Sequence, residues 1–525
     1  MKTRTDAIDS SQNLFHRPLY RTTAKPDWYK NYYEAIENAS SLTWDTGSIL
    51  STLSYGYSLG NATFFKEIRR RPWLSKIQSN GGAIEMPIPA HGLYGGTAKQ
   101  IGSRLFELMC DEAEKACHGR EKVYVLLSGG LDSRVVGGVI RHLQREKRID
   151  CEVEAVTWGI ENCRDVFYGK NVAQRLGFKW HHADLNQDEY FRNIDLCAEK
   201  LAASVAPVHL HRMNWFENAS PDSLVLAGSL GNMIGRGQIT SRSMLEVMPI
   251  VPFNYLGIMV EDAAQQGFAA CKKELQSLRN RAGEGLNEYV YREHEQACHF
   301  SRGMLCQTMS IINEYCDVYQ MLSDPSVYSF MWSRHPAVRT DQVYAEALEL
   351  VGQDVASVPW TRTNKALRNT DSSIQRDLIK AHNEYRKWTF NFLNSEKFDQ
   401  DKFLNRIEKL SFLNTKKVET LIANFRRDEQ YLSVETSRFP WTMSWLVSFC
   451  EFLNRFDKPT SVPPSQPTIS VNTKAPSTQR IRRYFANNAK VRANVAKLRR
   501  YVRTRKFLKQ HPILDDPEFK VGSNQ

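Results

Sequence analysis

A chain of 525 residues with 42% hydrophobic and 24% charged side chains has material for two or three packed domains, and its composition excludes a wholly disordered protein. No uninterrupted run of about 20 apolar residues occurs, and the first residues lack the apolar stretch of a secretory leader, so the chain is expected to be cytoplasmic and not transmembrane. The net charge of +12 is concentrated: residues 480–509 hold twelve Lys or Arg and no acid, which equals the whole excess and leaves the body formally neutral. The ten cysteines show no C-x-x-C pair and no zinc spacing, as expected of small buried hydrophobes in a reducing compartment.

Residues 28–93 mix aromatics, glycines and short β-like runs. Ile101, Leu105, Leu108, Ala113 and Ala116 then recur at helical spacing and predict a helix over 99–117. An apolar run at 123–127 predicts the first strand of a new unit. It meets Ser128-Gly129-Gly130-Leu131-Asp132-Ser133, followed by Val135, Val136, Val139, Ile140 and Leu143 at helical spacing. A second strand is expected at 153–158, a helix at 166–176 closed by Gly177, a third strand near 180–185 and a fourth at 224–227. The fourth ends in a second glycine-rich turn, 228–235, containing Gly231 and Asn232. Strands alternating with helices predict an α/β fold with a parallel sheet, whose ligands lie at the carboxyl ends of the strands, where both turns fall. From 241 to 455 helical periodicity dominates, and 458–479 is a linker rich in Pro, Ser and Thr. Beyond it Tyr484, Val491, Val495, Leu498 and Val502 outline a basic amphipathic helix. Such a helix suits an anionic membrane surface, RNA or an acidic protein; docking on its own domain is the plainer alternative.

The Ser128–Ser133 hexapeptide joins strand to helix in the manner of a phosphate-holding loop. Glycines let the backbone approach a ligand, and the helix N-terminus turns unpaired N–H groups toward it. Ser128 and Ser133 add hydroxyls, and Asp132 offers a hard oxygen for the Mg²⁺ that accompanies ATP. His181 with His182 and His209 with His211 invite a metal reading, but no Cys or carboxylate completes a zinc set, so ordinary histidines are expected.

With this loop after a strand, the chain resembles the PP-loop ATP pyrophosphatases, which cleave ATP between its α and β phosphates. Thr157-Trp158-Gly159-Ile160-Glu161-Asn162, Asp165-Val166-Phe167-Tyr168, Ala173-Gln174-Arg175-Leu176-Gly177-Phe178 and Val358-Pro359-Trp360-Thr361-Arg362-Thr363 are similar to the asparagine synthetase C-terminal domain. Upstream, residues 55–65 are similar to the segment that closes the glutaminase domain in that family. The resemblance spans roughly 50–370. It implies a Rossmann-like PP-loop domain followed by a helical domain, divided as 1–98 (remnant of a glutaminase-like domain), 99–240 (ATP-binding), 241–457 (helical), 458–479 (linker) and 480–525 (basic tail).

The resemblance also implies ATP and Mg²⁺ as cofactors, and a ligase that adenylates a small-molecule carboxylate and passes it to ammonia or an amine, as in asparagine biosynthesis. Ser128, Gly129, Gly130, Leu131 and Ser133 would hold the phosphates, Thr157 and Trp158 would meet adenine, and Gly231 and Asn232 would lie by the pyrophosphate. Asp132 would bind the metal and act in catalysis, with Arg362 and Lys365 as cations for the second step; Asp324 is read as structural. Two departures stand out. Lys2 follows Met1 where the family's glutaminase has Cys, so glutamine hydrolysis is not expected, and ammonia would come from solution or a separate subunit. Asn232 stands where the family carries a metal-binding Asp, which keeps an acceptor but loses its charge. A non-catalytic nucleotide-binding relative and a PP-loop enzyme modifying RNA are the alternatives.

Overall fold

The computed structural model describes residues 13–236, 250–367, 377–429, 438–462, 502 and 505–520. Its centre is a five-stranded parallel sheet formed by β6 (Lys122–Leu126), β7 (Glu152–Gly159), β8 (Lys179–Asp184), β9 (Leu224–Ala227) and β10 (Asp317–Gln320), in the order β10-β9-β6-β7-β8. Five earlier strands, β1 to β5, are short and antiparallel: Tyr20–Thr22, Trp28–Tyr29, Ile68–Arg70, Ser75–Ile77 and Ala83–Glu85.

Both central strands are fully apolar inward: β9 is buried at every position, and β6 at all but its first. That is the pattern of strands covered on both faces. Three helices precede the sheet, α1 (Tyr32–Asn38), α2 (Thr46–Tyr55) and α3 (Ala98–Cys117); α4 (Leu131–Arg145) and α5 (Arg164–Leu176) make the crossovers from β6 to β7 and from β7 to β8. The predicted stop at Gly177 is present, with φ +71°. The chain runs β6-β7-β8 toward one edge and then returns to place β9 beside β6. The sheet therefore reverses its winding between β6 and β9, and a crevice opens there beyond the strand ends.

β10 corrects the helical reading of 241–455. Its four residues, Asp-Val-Tyr-Gln, form an edge strand paired with β9 alone, too short to show alternation in the sequence. Residues 13–98 also do not stand apart as a remnant would. Tyr20, Tyr32, Trp44, Phe64 and Phe65 share one core with α6 (Gln187–Leu201) and the helix Phe439–Leu453, while Leu14, Phe15, Trp73 and Leu74 enter the core around the sheet. All ten cysteines are buried and none forms a disulfide.

The linker from 463 and the basic helix up to 504, apart from residue 502, lie outside the described residues. The end of the tail docks on the body: Leu514 N–H donates to Leu93 O (2.9 Å), Gly95 N–H donates to Leu514 O (2.7 Å), and Asp516 pairs with buried Arg334. Among the described residues no helix is long and apolar enough to cross a membrane.

Candidate functional site

A cavity of about 320 Å³ lies at the crevice between β6 and β9. Ser128, Gly130, Asp132, Ser133, Thr157, Trp158 and Asn232 line it, so the structure gathers seven of the expected residues from three strand ends. Gly130 takes an extended conformation (φ −75°, ψ 159°) and α4 begins at Leu131, so the free N–H groups of its first turn lie at the loop. The two serines tie the loop's ends together. Ser128 N–H donates to Ser133 Oγ (3.0 Å), Gly130 N–H donates to Ser128 Oγ (3.1 Å), and the hydroxyls stand 3.1 Å apart. Leu131, expected at the ligand, is a core residue.

The Val358–Thr363 motif braces this loop. Arg134, fully buried on α4, donates to Gly129 O (3.2 Å), Val358 O (2.7 Å) and Pro359 O (3.1 Å), and Thr361 N–H donates back to Gly129 O (3.2 Å). A Cβ on Gly129 would stand 2.1 Å from Thr361 Oγ1, so this approach requires glycine. Arg362 and Lys365 are a correction. Both are exposed and outside the cavity lining, and the Arg362 guanidinium lies over the Trp360 ring at 5.5 Å. The motif contributes backbone and Thr361, not its cations.

Asp132 has a partner that sequence spacing does not reveal. Arg236, 3% exposed, donates Nε to Oδ1 (3.0 Å) and Nη2 to Oδ2 (2.7 Å) of Asp132. It also bonds Asn232 Oδ1, and Asp341 Oδ1 at 3.0 Å. Its guanidinium carbon lies over Tyr344 (5.6 Å) and Trp360 (5.3 Å). Burial opposes the charge on Arg236, but the Asp132 carboxylate holds it firmly protonated, above its ordinary value. This arrangement does not fit Mg²⁺ held by the protein at Asp132, which corrects the metal expectation. Both carboxylate oxygens and the Asn232 oxygen already accept from one guanidinium, and a divalent ion there would face that cation at close range. Among the described residues no group of His, Cys, Asp and Glu is arranged to hold a metal ion.

The opposite wall carries histidines and apolar side chains. His209, His211 and His382 line the cavity with Met213, Met304 and Met309. His209 and His211 sit on the cavity wall, whereas His181 bonds Glu154 (2.8 Å) and His182 bonds Gly159 O (2.8 Å) on β8. His211 stacks on Trp158 with ring centroids 5.7 Å apart, and its Nδ1 is 2.9 Å from the Tyr385 hydroxyl. Burial, followed by the nearby Arg438, lowers His209 to about 4. Burial, followed by His382 and His209, holds His211 well below its ordinary range. Burial also lowers His382, against the pull of Asp165. These rings are neutral bases near pH 7. Asp165 accepts from Thr361 Oγ1 (3.3 Å), joining the histidine wall to the phosphate loop. Thr157 donates to Leu127 O (2.6 Å) and accepts from Trp180 Nε1 (3.0 Å), which fixes the end of β7. Asp324 caps the helix Pro325–Ser333, accepting from Ser326 N–H (2.7 Å).

A doubly covered parallel sheet with a Ser-Gly-Gly-Leu-Asp-Ser loop at its switch point and a following helical region is an α/β nucleotide-binding architecture of the adenine nucleotide alpha hydrolase kind. Comparison with known proteins narrows the class: residues 105–207 match the asparagine synthase family, and the chain carries a domain of that family. The asparagine synthetase (glutamine-hydrolyzing) of Bos taurus is 24% identical over 157 residues, covering 27% of this chain and 28% of that protein. The Gallus gallus enzyme of the same name is 27% identical over 101 residues, 19% of this chain and 18% of its own length. The matched segment therefore spans less than a third of these relatives.

Proposed function

We propose that this chain is an ATP-dependent amide-forming ligase of asparagine synthase type, acting on a carboxylate and on ammonia or an amine. The observation that carries the reading is the phosphate loop at the β6–β9 crevice, braced by Arg134 and residues 358–361 and facing a cavity sized for one small ligand complex.

In the first step a carboxylate oxygen attacks the α-phosphorus, the bond to the bridging oxygen of the β-phosphate breaks, and pyrophosphate leaves with the electron pair. The α4 N-terminus, the loop N–H groups and the Ser128 and Ser133 hydroxyls lie where that charge develops. In the second step an amine nitrogen attacks the acyl carbon, AMP leaves and the amine loses a proton. The imidazole of His382, whose charged form the neighbouring Asp165 favours, is the acceptor for that proton. Thr157 and Trp158 form the adenine end of the pocket.

His382→Gln is expected to leave acyl-adenylate formation intact and to slow amide formation by about 10²-fold, shifting the pH dependence of that step. Equal loss in both steps would remove His382 from the proton-transfer role. The reading as a whole is tested by incubating the protein with ATP, carboxylic acids and ammonia. AMP and pyrophosphate in equal amounts support it; ADP and phosphate contradict it.

A second reading is favoured by the engagement of Asp132 with Arg236 together with Asn232: a relative that binds ATP without turnover. It predicts ATP binding with neither product pair formed.

A further inference from the structure

The family reading calls for a divalent ion between Asp132 and the residue at 232, yet this chain presents an arginine there. Arg236 bonds both oxygens of Asp132 and the amide oxygen of Asn232, while Asp341 anchors its remaining nitrogen at 3.0 Å. Tyr344 and Trp360 lie against its guanidinium. Glycine makes the packing possible: a Cβ at Gly231 would stand 2.0 Å from Asp132 Oδ1, and one at Gly235 would stand 2.0 Å from the Tyr344 hydroxyl. The guanidinium is thus built in, fixed by two carboxylates, an amide and two rings within a turn shaped around it.

We propose that Arg236 replaces the divalent cation of this site, so that the chain accepts a polyphosphate without a protein-bound metal. A bare Asp132 carboxylate on the cavity wall would repel the β and γ phosphates, and a metal ion conventionally bridges such a pair. Here the fixed guanidinium neutralises Asp132 from behind. Asn232, uncharged and polarised by the same arginine, presents its amide at the cavity without adding a second negative charge. The loss of charge at 232 and the gain of an arginine at 236 are two halves of one exchange: with Asp at 232, one guanidinium would face three carboxylates.

The proposal rests on the reading of this cavity as an ATP site, and the experiment separates the two. Binding of ATP to the full-length chain is measured by titration calorimetry with Mg²⁺ and with excess EDTA. The expected result is an affinity in EDTA within about threefold of that with Mg²⁺. Arg236→Gln is expected to lose at least about tenfold in EDTA and to recover most of it with Mg²⁺, because Asp132 is then free to hold the ion. Asn232→Asp, which leaves Arg236 in place, is expected to gain a Mg²⁺ response that the parent lacks and supplies a second arm if Arg236→Gln does not fold. ATP binding by the unmodified chain that requires Mg²⁺ overturns the proposal while leaving the ATP site standing. No ATP binding in either medium overturns both.

Discussion

Gly231→Ala is expected to lower the unfolding free energy by about 3–5 kcal/mol and to remove ATP binding at the same stroke. The added methyl would stand 2.0 Å from Asp132 Oδ1, 2.4 Å from Cγ and 2.6 Å from Cβ, so the Asp132 side chain must leave its place. It cannot do so freely, because two hydrogen bonds hold it to a guanidinium that is itself buried. Moving it leaves the buried Arg236 short of one of its two carboxylates, and such half-broken pairs cost far more than pairs that never form. The same displacement pushes a carboxylate toward the phosphate position. Urea titration with and without ATP measures both effects. A variant with parental stability and ATP affinity would show that the turn yields, and that the Asp132–Arg236 geometry does not govern the site.

The second large effect lies away from the cavity. Glu293, fully buried on the helix Glu288–Glu295, accepts from Arg339 through both oxygens (2.9 and 3.1 Å), and His91 Nε2 stands 2.6 Å from Oε2. His91 belongs to the N-terminal segment and stacks on Trp332 with centroids 4.7 Å apart, so this cluster pins residues 13–98 to the helical region. Burial pushes the Glu293 carboxyl up, but Arg339 and His91 together outweigh it and hold it at about 2 against an ordinary 4.5. Because the folded value is depressed, the stabilisation is complete above about pH 4.5 and is lost as pH falls toward 2, a contribution of about 3 kcal/mol. Glu293→Gln is expected to cost about 3–5 kcal/mol at neutral pH, since buried Arg339 loses its counter-charge, and to flatten the acid limb of the stability profile. An unchanged acid limb would assign the acid sensitivity to other carboxylates.

What the sequence discloses, and what it conceals, follows the range of the interactions involved. The strand at β6, the phosphate loop, α4 and the stop at Gly177 are local patterns of apolar runs and glycines, and they stand where the spacing puts them. Ser128, Asp132 and Thr157 follow because strand ends converge in a parallel sheet. Arg236 gives no such signal. Its partner Asp132 is 104 residues away, and an arginine after a glycine turn looks like surface until the turn folds back on α4. The histidine wall is half hidden for the same reason: His209 and His211 are near neighbours in sequence, but only the fold brings His382 beside them. Arg362 and Lys365 show the converse error. They sit in a motif that does touch the site, but it touches through Gly129, Arg134 and Thr361, and the cations point outward. The N-terminal segment reads as a separable piece because its strands are short, whereas its aromatics are shared with helices hundreds of residues later.

In the proposed function, the β6–β9 crevice activates a carboxylate by cleaving ATP between its α and β phosphates. Acid-dependent exchange of labelled pyrophosphate into ATP, run with the full-length chain against a panel of carboxylic acids and without an amine, tests it most directly. Exchange is expected to appear only with a subset of acids and to disappear in Gly231→Ala. ATP binding without exchange for any acid would contradict it and leave this chain a nucleotide-binding relative that performs no adenylation.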